Sequence, residues 1–218
     1  MRLRHRAGRI PGKAAPDPLL KLEEARLYVI TPDAPRDRVL EIASAAIRGG
    51  ADVVQLRHKT MPRGELLALG MEVRDVVRDA LFVVNDYVDI ALMCGADGVH
   101  LGPDDLTVAS ARKVAGDRLL IGVTASTPEG VQAGADYVGC GPAFATPLKP
   151  RKEVIGPERV AALTRAIDIP VFAIGGIDES NIARLTTLGV NRACVVRAVS
   201  EAADPQQATR RLRAILGA

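Results

Sequence analysis

Two apolar runs in the stretch Leu81–Leu106 each end at acidic side chains. The first run ends at Asn85 and Asp86, and the second ends at Asp104 and Asp105. Carboxylates are costly to bury alone, so these groups are either solvated or share a positive partner. A few oxygen ligands beside phosphate suit Mg²⁺, which completes its shell with waters and substrate phosphates. The alternative use of these aspartates is to cap the helices that follow.

A group of basic side chains lies in the stretch VQLRHK. Gln55, Arg57 and Lys59 occupy alternate positions, which in a strand would place them on one face. Arg and Lys together suit phosphate oxygens, so we interpret this set as an anion site. Ion pairs with neighbouring acids are the alternative. Cys and His do not show the spacing of a zinc site, which also favours Mg²⁺.

Eight short apolar runs, separated by segments with helical spacing, must position these groups. The runs are Leu27–Ile30, Val53–Leu56, Leu81–Val84, Gly98–Leu101, Leu119–Val123, Tyr137–Gly139, Val171–Ile174 and Ala193–Val196. They are apolar on both faces, as expected of strands that are covered on both sides. A weak repeat (GGADVVQL, CGADGVHL, AGADYVGC, LGVNRACV) recurs at every second run. We therefore predict a single-domain α/β fold, a (β/α)₈ TIM barrel, with a doubly wound open sheet as the alternative.

A barrel of this kind would collect the polar side chains at one mouth, where the strands end. The fourth run carries His100, the fifth ends at Thr124, and the sixth leads into a loop with Thr146 and Lys149. The sequence IGGI follows the seventh run, and barrels frequently bind phosphate at this place through backbone N–H groups. Arg197 ends the eighth run and is placed to join this second anion site. A tight turn would need the same glycines.

Charge and composition bear on domains and partners. The N-terminal segment carries five basic residues against one acid: Arg2, Arg4, Arg6, Arg9, Lys13 and Asp17. The remaining chain is nearly neutral, so the net charge of +3 does not indicate a nucleic-acid-binding face. Gly and Pro punctuation predicts a disordered basic extension over residues 1–25, with a short helix near 18–25. The catalytic barrel is expected over residues 26–218.

The same composition predicts a cytoplasmic protein without nucleic-acid or membrane partners. Only 3% of the residues are aromatic and Trp is absent, which argues against stacking platforms for single strands. No apolar run reaches the length of a membrane span, and the N-terminus lacks the apolar core of a signal peptide. Cys94, Cys140 and Cys194 are scattered along the chain and indicate reduced thiols.

Seven motifs, in order from about Arg26 onward, resemble the thiamine phosphate synthase (thiamine-phosphate pyrophosphorylase) family. The motifs are VQLRHK, VNDYVDIAL, GADGVHLGPDDL, IGVT, ADYVGCGPAFATPLKP, FAIGGI and VVRAVS. The resemblance implies a transferase of thiamine biosynthesis that joins an aminopyrimidine diphosphate to a thiazole phosphate and releases pyrophosphate. It also implies Mg²⁺ as the cofactor and small molecules as the partners; a homo-oligomer is left open.

The resemblance assigns roles to residues by motif. The pyrimidine diphosphate site would comprise Gln55, Leu56, Arg57, His58, Lys59, Asn85, Thr124 and Lys149. The metal ligands would be Asp86 and Asp105. The thiazole phosphate site and its loop would comprise Thr146, Pro147, Leu148, Gly176, Val196 and Arg197. Arg57, Lys59 and Lys149 would be catalytic, because they stabilise charge that develops on the leaving group.

Several residues depart from the family's usual pattern. Thr124 stands where Ser is common, and Pro103-Asp104 replaces a Gln-Glu pair. Leu148 replaces a second Thr, and Arg197 stands where many members have Ser, so its guanidinium could compensate for the lost hydroxyl.

Three other activities fit parts of the pattern. A thiazole tautomerase would share the barrel but needs an acid–base residue in place of the metal and diphosphate sites. A phosphate-binding aldolase or isomerase could use Lys59 or Lys149 as a Schiff-base lysine. A sensor would bind a thiamine precursor without releasing pyrophosphate.

Overall fold

The computed structural model describes residues 17–146 and 153–217. The predictions for the basic residues 1–16, and those for Pro147, Leu148 and Lys149, lie outside the described residues.

Eight parallel strands form the centre of the molecule. Their bounds are β1 Leu27–Ile30, β2 Val53–Leu56, β3 Leu81–Asn85, β4 Gly98–Leu101, β5 Leu120–Thr124, β6 Tyr137–Cys140, β7 Val171–Ile174 and β8 Ala193–Val195. Each strand pairs with its neighbours in sequence, and β8 pairs with β1, which closes the barrel. The predicted (β/α)₈ barrel is thus confirmed, and the open sheet is excluded.

Helices surround this barrel and connect its strands. Their bounds are α1 Pro18–Glu24, α2 Arg36–Arg48, α3 Arg63–Val76, α4 Val88–Met93, α5 Val108–Ala115, α6 Pro157–Ala166, α7 Ile182–Thr187, α8 Arg197–Ser200 and α9 Pro205–Gly217. Between β5 and β6 the chain forms only a 3₁₀ turn at Pro128–Gly130. This connection, residues 125–136, is as long as the one between β3 and β4, residues 86–97, but it contains no α-helix.

The outer helices pack on the barrel through apolar stripes at helical spacing. On α2, Val39, Ile42 and Ala46 are fully buried because residues three and four apart share one face. On α3, Leu66 and Val73 form the equivalent stripe. These helix faces and the outward faces of the strands form the larger hydrophobic core.

The two-unit sequence repeat has a structural cause at the base of the barrel, where the strands begin. Its aspartates precede β2, β4 and β6, and each carboxylate accepts the N–H of a residue at the start of the preceding strand. The pairs are Asp52 with Leu27 at 2.9 Å, Asp97 with Phe82 at 2.9 Å, and Asp136 with Ile121 at 2.7 Å. An arginine from a neighbouring helix also binds each carboxylate: Arg213, Arg74 and Arg112. These groups tie strand to helix at the base.

Aromatic side chains fill the interior of the barrel. Tyr28, Tyr137 and Phe172 are fully buried there, and the two tyrosine hydroxyls lie 3.0 Å apart. Gly122 makes room for the Tyr137 ring, since a Cβ at this position would lie 2.0 Å from it. The buried Leu22 of α1 packs against the same cluster and closes the base. The opposite end of the barrel is the mouth.

Within residues 17–146 and 153–217, the helices are all too short or too polar to cross a lipid bilayer.

Candidate active site

Asp86 lies at the mouth directly after β3 and has an unusual backbone conformation. Its φ is +66°, in the left-handed region that Asp tolerates better than most residues. The N–H of Asp86 donates to the carbonyl of His100 at 2.9 Å, which fixes this conformation. Residues held in such sparsely populated regions cluster at functional sites. The backbone here aims one carboxylate into the mouth.

The Asp86 carboxylate is held between a cation and a second acid. Its Oδ2 lies 2.5 Å from Nζ of Lys59, and its side chain is only 10% exposed. Burial raises the pKa of Asp86, the Lys59 ammonium opposes this shift, and Asp105 raises the pKa again. The net pKa lies above its ordinary value. Asp86 and Asp105 are therefore neighbours at the same end of the barrel, beside a cleft of about 390 Å³ that both of them line.

Asp105 is anchored by its own loop. Its Oδ2 accepts the N–H of Gly102 at 2.7 Å. The helix-capping alternative does not apply to either acid, because the N-cap residues are Tyr87 for α4 and Thr107 for α5. Thr107 accepts the N–H of Ser110, whereas Tyr87 makes no side-chain cap. Neither carboxylate therefore caps a helix; Asp105 accepts a loop N–H and Asp86 pairs with Lys59.

Gln55, Arg57 and Lys59 were predicted to lie on one face of a strand, but they do not all belong to β2. β2 ends at Leu56, so only Gln55 belongs to the strand, while Arg57 and Lys59 lie in the turn that follows. Gln55 is 2% exposed and donates to the hydroxyl of Tyr28 at 2.9 Å, inside the barrel. The backbone ladder ends at Leu56, so the alternation of a strand does not by itself determine where Arg57 and Lys59 point. Both basic residues nevertheless lie at the mouth, where they meet carboxylates.

The turn after β2 is held by Asp33, which the sequence analysis missed. Asp33 Oδ1 accepts the backbone N–H of Lys59 at 2.7 Å, and Oδ2 lies 3.3 Å from Nη1 of Arg57. The ion pairs considered as an alternative thus exist, as Arg57 with Asp33 and Lys59 with Asp86. Asp33 follows β1, so the rule that polar residues after strands face the mouth would have found it.

The other residues of this turn have structural contacts. His58 Nδ1 accepts the N–H of Met61 at 3.1 Å, so its ring braces the turn. The Leu56 side chain is 1% exposed and belongs to the core between barrel and helices. Asn85, the last residue of β3, is partly exposed beside Asp86.

Thr124 and His100 meet across the ends of β4 and β5. Nε2 of His100 lies 3.1 Å from Oγ1 of Thr124, and the ring packs over Gly139. The histidine therefore orients the Thr124 hydroxyl at the mouth.

The sequence predicts a second anion site at the loop that contains Gly176. Its φ is +64°, and a Cβ there would lie 2.3 Å from the carbonyl oxygen of Ala145, next to Thr146. Asn181 donates to the Gly176 carbonyl at 2.8 Å and holds the loop. The structure thus brings the loop after β7 against the loop after β6.

The remaining residues of that site follow β8. Val196 immediately precedes α8, and Arg197 begins that helix. Nη1 of Arg197 lies 3.6 Å from Oε2 of Glu201, and the arginine side chain is 39% exposed. Its guanidinium is thus partly neutralised, yet open to solvent.

The donor set at the mouth is compatible with Mg²⁺. Residues 17–146 and 153–217 contain no group of three or more His, Cys, Asp or Glu side chains that could hold a metal ion. Mg²⁺ does not require such a group, since one or two carboxylates with waters and substrate phosphates suffice. Asp86 and Asp105 are the residues that would hold it.

Comparisons with known proteins identify the family of the chain. A family model described as thiamine monophosphate synthase matches residues 27–199. The chain belongs to this family. It is 45% identical over 195 residues to a thiamine-phosphate synthase from Gloeobacter violaceus, a match covering 87% of this chain and 57% of that protein. It is 43% identical over 199 residues to one from Roseiflexus sp., covering 87% of this chain and 84% of that protein.

A solved structure shows the same likeness in three dimensions. Thiamine phosphate pyrophosphorylase from Pyrococcus furiosus superimposes with a TM-score of 0.81 at 38% identity, covering 91% of this chain and 98% of that one. The chain spans little more than half the length of several curated members of the thiamine monophosphate synthase family that it matches.

Proposed function

We propose that the chain is a thiamine phosphate synthase. It joins an aminopyrimidine that carries a diphosphooxymethyl group to a thiazole that carries a phosphooxyethyl group. The products are thiamine phosphate and pyrophosphate. The observation that carries this proposal is the meeting of Asp86, Asp105 and Lys59 at one mouth, beside Arg57. A site for a departing diphosphate needs such a set of carboxylates and cations.

The reaction breaks the bond between the pyrimidine methylene carbon and the diphosphate oxygen, and the electron pair leaves with pyrophosphate. The lone pair of the thiazole nitrogen then forms the new bond to that carbon. No proton transfer and no side-chain nucleophile are needed. The chain therefore has to stabilise the leaving charge, exclude water and align the nitrogen with the carbon.

Basic side chains at the mouth carry the first of these tasks. Arg57 and Lys59 lie in the turn after β2 and would contact the diphosphate, with Lys149 and the Thr124 hydroxyl completing the site. Both cations already have carboxylate partners, so the diphosphate would compete with Asp33 and Asp86 for them. Mg²⁺, held by Asp86 and Asp105, would supply further positive charge to the leaving group when it is bound.

The remaining proposed residues would orient the two rings. Gln55 and Asn85 would hold the pyrimidine, and the amide of Gln55 is fixed by its hydrogen bond to Tyr28. Thr146, Gly176, Val196 and Arg197 would bind the thiazole phosphate. The close approach of the Gly176 loop to the Ala145 carbonyl supports this role, because close backbone approach suits phosphate recognition.

We also propose the bounds of the enzyme domain and the compartment in which it works. The enzyme domain would comprise residues 26–218, with residues 1–25 as an N-terminal extension. Cys94, Cys140 and Cys194 are buried, and cysteines scattered along a chain are typical of a reducing, cytoplasmic compartment.

The experiment that tests this function incubates the protein with both precursors and measures thiamine phosphate and pyrophosphate together. We expect equal amounts of both products, formed only when Mg²⁺ and both precursors are present. A tautomerase would change the thiazole alone, a Schiff-base enzyme would be trapped by borohydride, and a sensor would bind without turnover. Any of these three results would contradict the proposal.

A further inference from the structure

A side-chain ladder extends the β1–β2 pairing beyond the last backbone bond. That last bond runs from the Thr31 N–H to the Gln55 carbonyl at 2.9 Å. Beyond it, the Arg57 N–H donates to the Thr31 hydroxyl at 3.1 Å, and the Lys59 N–H donates to Asp33 Oδ1 at 2.7 Å. Side chains of the β1–α2 loop thus replace backbone carbonyls as acceptors. They hold the alternate residues that carry the two basic groups.

The second oxygen of Asp33 reaches one of those basic groups directly. Asp33 Oδ2 lies 3.3 Å from Nη1 of Arg57, and the two side chains are 37% and 34% exposed. An ion pair this exposed contributes little to the stability of the fold. The importance of the contact is geometric, because one carboxylate fixes both the backbone of Lys59 and the guanidinium of Arg57.

Asp33 is negatively charged, although it lies beside a mouth that is proposed to bind an anion. An acid beside an anion-binding mouth repels the diphosphate and lowers the net positive charge that the diphosphate meets. Asp86 and Asp105 share this disadvantage, but they have a proposed use as metal ligands. Asp33 lies on the other side of Arg57, and its contacts run to the basic turn. Its presence is explained if the geometry it imposes outweighs the repulsion.

We propose that Asp33 is a positioning residue for the diphosphate site. It acts through Arg57 and Lys59 and does not contact the reacting atoms. In the free enzyme it holds the guanidinium and the turn in place, so that the diphosphate meets a preorganised pair of cations. This inference rests on the proposed function, since it assigns the diphosphate to these two side chains.

The test compares Asp33→Ala, which removes both contacts, with Asp33→Asn, which keeps an oxygen for the Lys59 N–H but loses the charge. We expect kcat/KM for the pyrimidine diphosphate to fall by ~10- to 100-fold in Asp33→Ala, as small misplacements of reacting groups do. Asp33→Asn should show a smaller fall. The KM for the thiazole phosphate should stay within about twofold in both variants, because the contacts of Asp33 run to the turn after β2.

Binding of magnesium pyrophosphate gives a readout that does not need turnover. Calorimetry should show a weaker Kd in Asp33→Ala than in the wild type, with an unchanged thermal midpoint. The matched control is Asp37→Asn, which makes the same charge change on the exposed first turn of α2 and should leave both measurements unchanged.

A double-mutant cycle separates positioning from a purely structural role. In an Arg57→Ala background, Asp33→Asn should have almost no further effect, because its lost charge acts through the guanidinium. Full additivity would overturn the proposal, and so would Asp33→Ala activity within about twofold of the wild type. A wild type that releases no pyrophosphate would instead contradict the proposed function. The two failures are therefore distinguishable.

Discussion

At the scale of single residues, each cation of the basic turn has a carboxylate partner on a different strand end. Arg57 contacts Asp33 after β1, and Lys59 contacts Asp86 after β3. The sequence predicted that charged residues would gather after the strands, since a parallel barrel brings all strand ends to one mouth. It did not predict the pairs, because pairing depends on which loop reaches which neighbour. The same rule covers Asp33, which follows β1, but it does not predict the pairing of Asp33 with Arg57.

Gly176 offers a test of the second anion site. Gly176→Ala should raise the KM for the thiazole phosphate by ~10-fold or more, because the new Cβ would collide with the Ala145 carbonyl and shift the loop. Steady-state kinetics with each substrate varied in turn would measure this. The KM for the pyrimidine diphosphate should change much less.

Gly189→Ala is the matched control for Gly176→Ala. Gly189 also has a positive φ, of +82°, but a Cβ there would meet nothing within 4 Å. It carries a similar backbone penalty, of about 1 kcal/mol in stability, without the collision. An equal rise in KM in both variants would show that backbone strain alone accounts for the effect, and the loop would lose its assigned role.

At the scale of elements, the sequence predicted where the strands lie, but it did not predict the form of the connection between β5 and β6. Runs that are apolar on both faces predicted all eight strands, because burial on both sides leaves no polar alternation. The structure moves their ends by at most one residue, as at β3, which extends to Asn85. The sequence did not distinguish the 3₁₀ turn at Pro128–Gly130 from a short α-helix, because Pro is favourable at the start of both.

The ion pairs at the base of the barrel should contribute to the free energy of unfolding without changing activity at the mouth. Asp136→Ala leaves the Arg112 guanidinium and the Ile121 N–H without their carboxylate, and both side chains of the ion pair are only 18% exposed. We expect the free energy of unfolding to fall by about 2–4 kcal/mol. Urea denaturation would measure it, while kcat/KM at a temperature where the variant stays folded should remain unchanged.

The control for Asp136→Ala is Asp75→Ala, which removes a carboxylate from an exposed pair with Arg78. Its effect on the free energy of unfolding should stay below about 0.5 kcal/mol. If Asp136→Ala cost no more than this, the base aspartates would not tie the strands together as described.

At the scale of the whole molecule, the barrel separates its tasks along its axis. Aspartates and arginines stabilise the base, buried aromatic rings fill the middle, and the charged groups lie at the mouth. The sequence indicated this division through its repeat at the strand starts and its polar residues at the strand ends. It did not indicate the tyrosine pair in the middle, because Tyr28 and Tyr137 are far apart in sequence and meet only when the barrel closes.

The buried tyrosine pair predicts a loss of stability in alkali. Burial raises the pKa values of Tyr28 and Tyr137 in the folded protein. The unfolded chain releases these protons above pH ~10 while the folded protein retains them, so the free energy of unfolding is unaffected below that pH and falls above it. Each tyrosine should contribute a slope of about 1.4 kcal/mol per pH unit.

Urea denaturation across this alkaline range would measure the slope, and tyrosinate absorbance would report the ionisation. Tyr137→Phe removes one of the two groups and should reduce the slope. Full ionisation of all tyrosines in the folded protein near pH ~10 would contradict the burial of the pair.

The most direct test of the proposed chemistry is the rate of pyrophosphate release as a function of Mg²⁺ concentration in Asp86→Asn. The matched control is Asp104→Asn, which makes the same change at the exposed aspartate beside Asp105. We predict that Asp86→Asn loses release by ~100-fold or more at any practical Mg²⁺ concentration, as the removal of one group that stabilises developing charge does. Asp104→Asn should follow the wild-type curve. Equal Mg²⁺-dependent release from Asp86→Asn and the wild type would contradict the account.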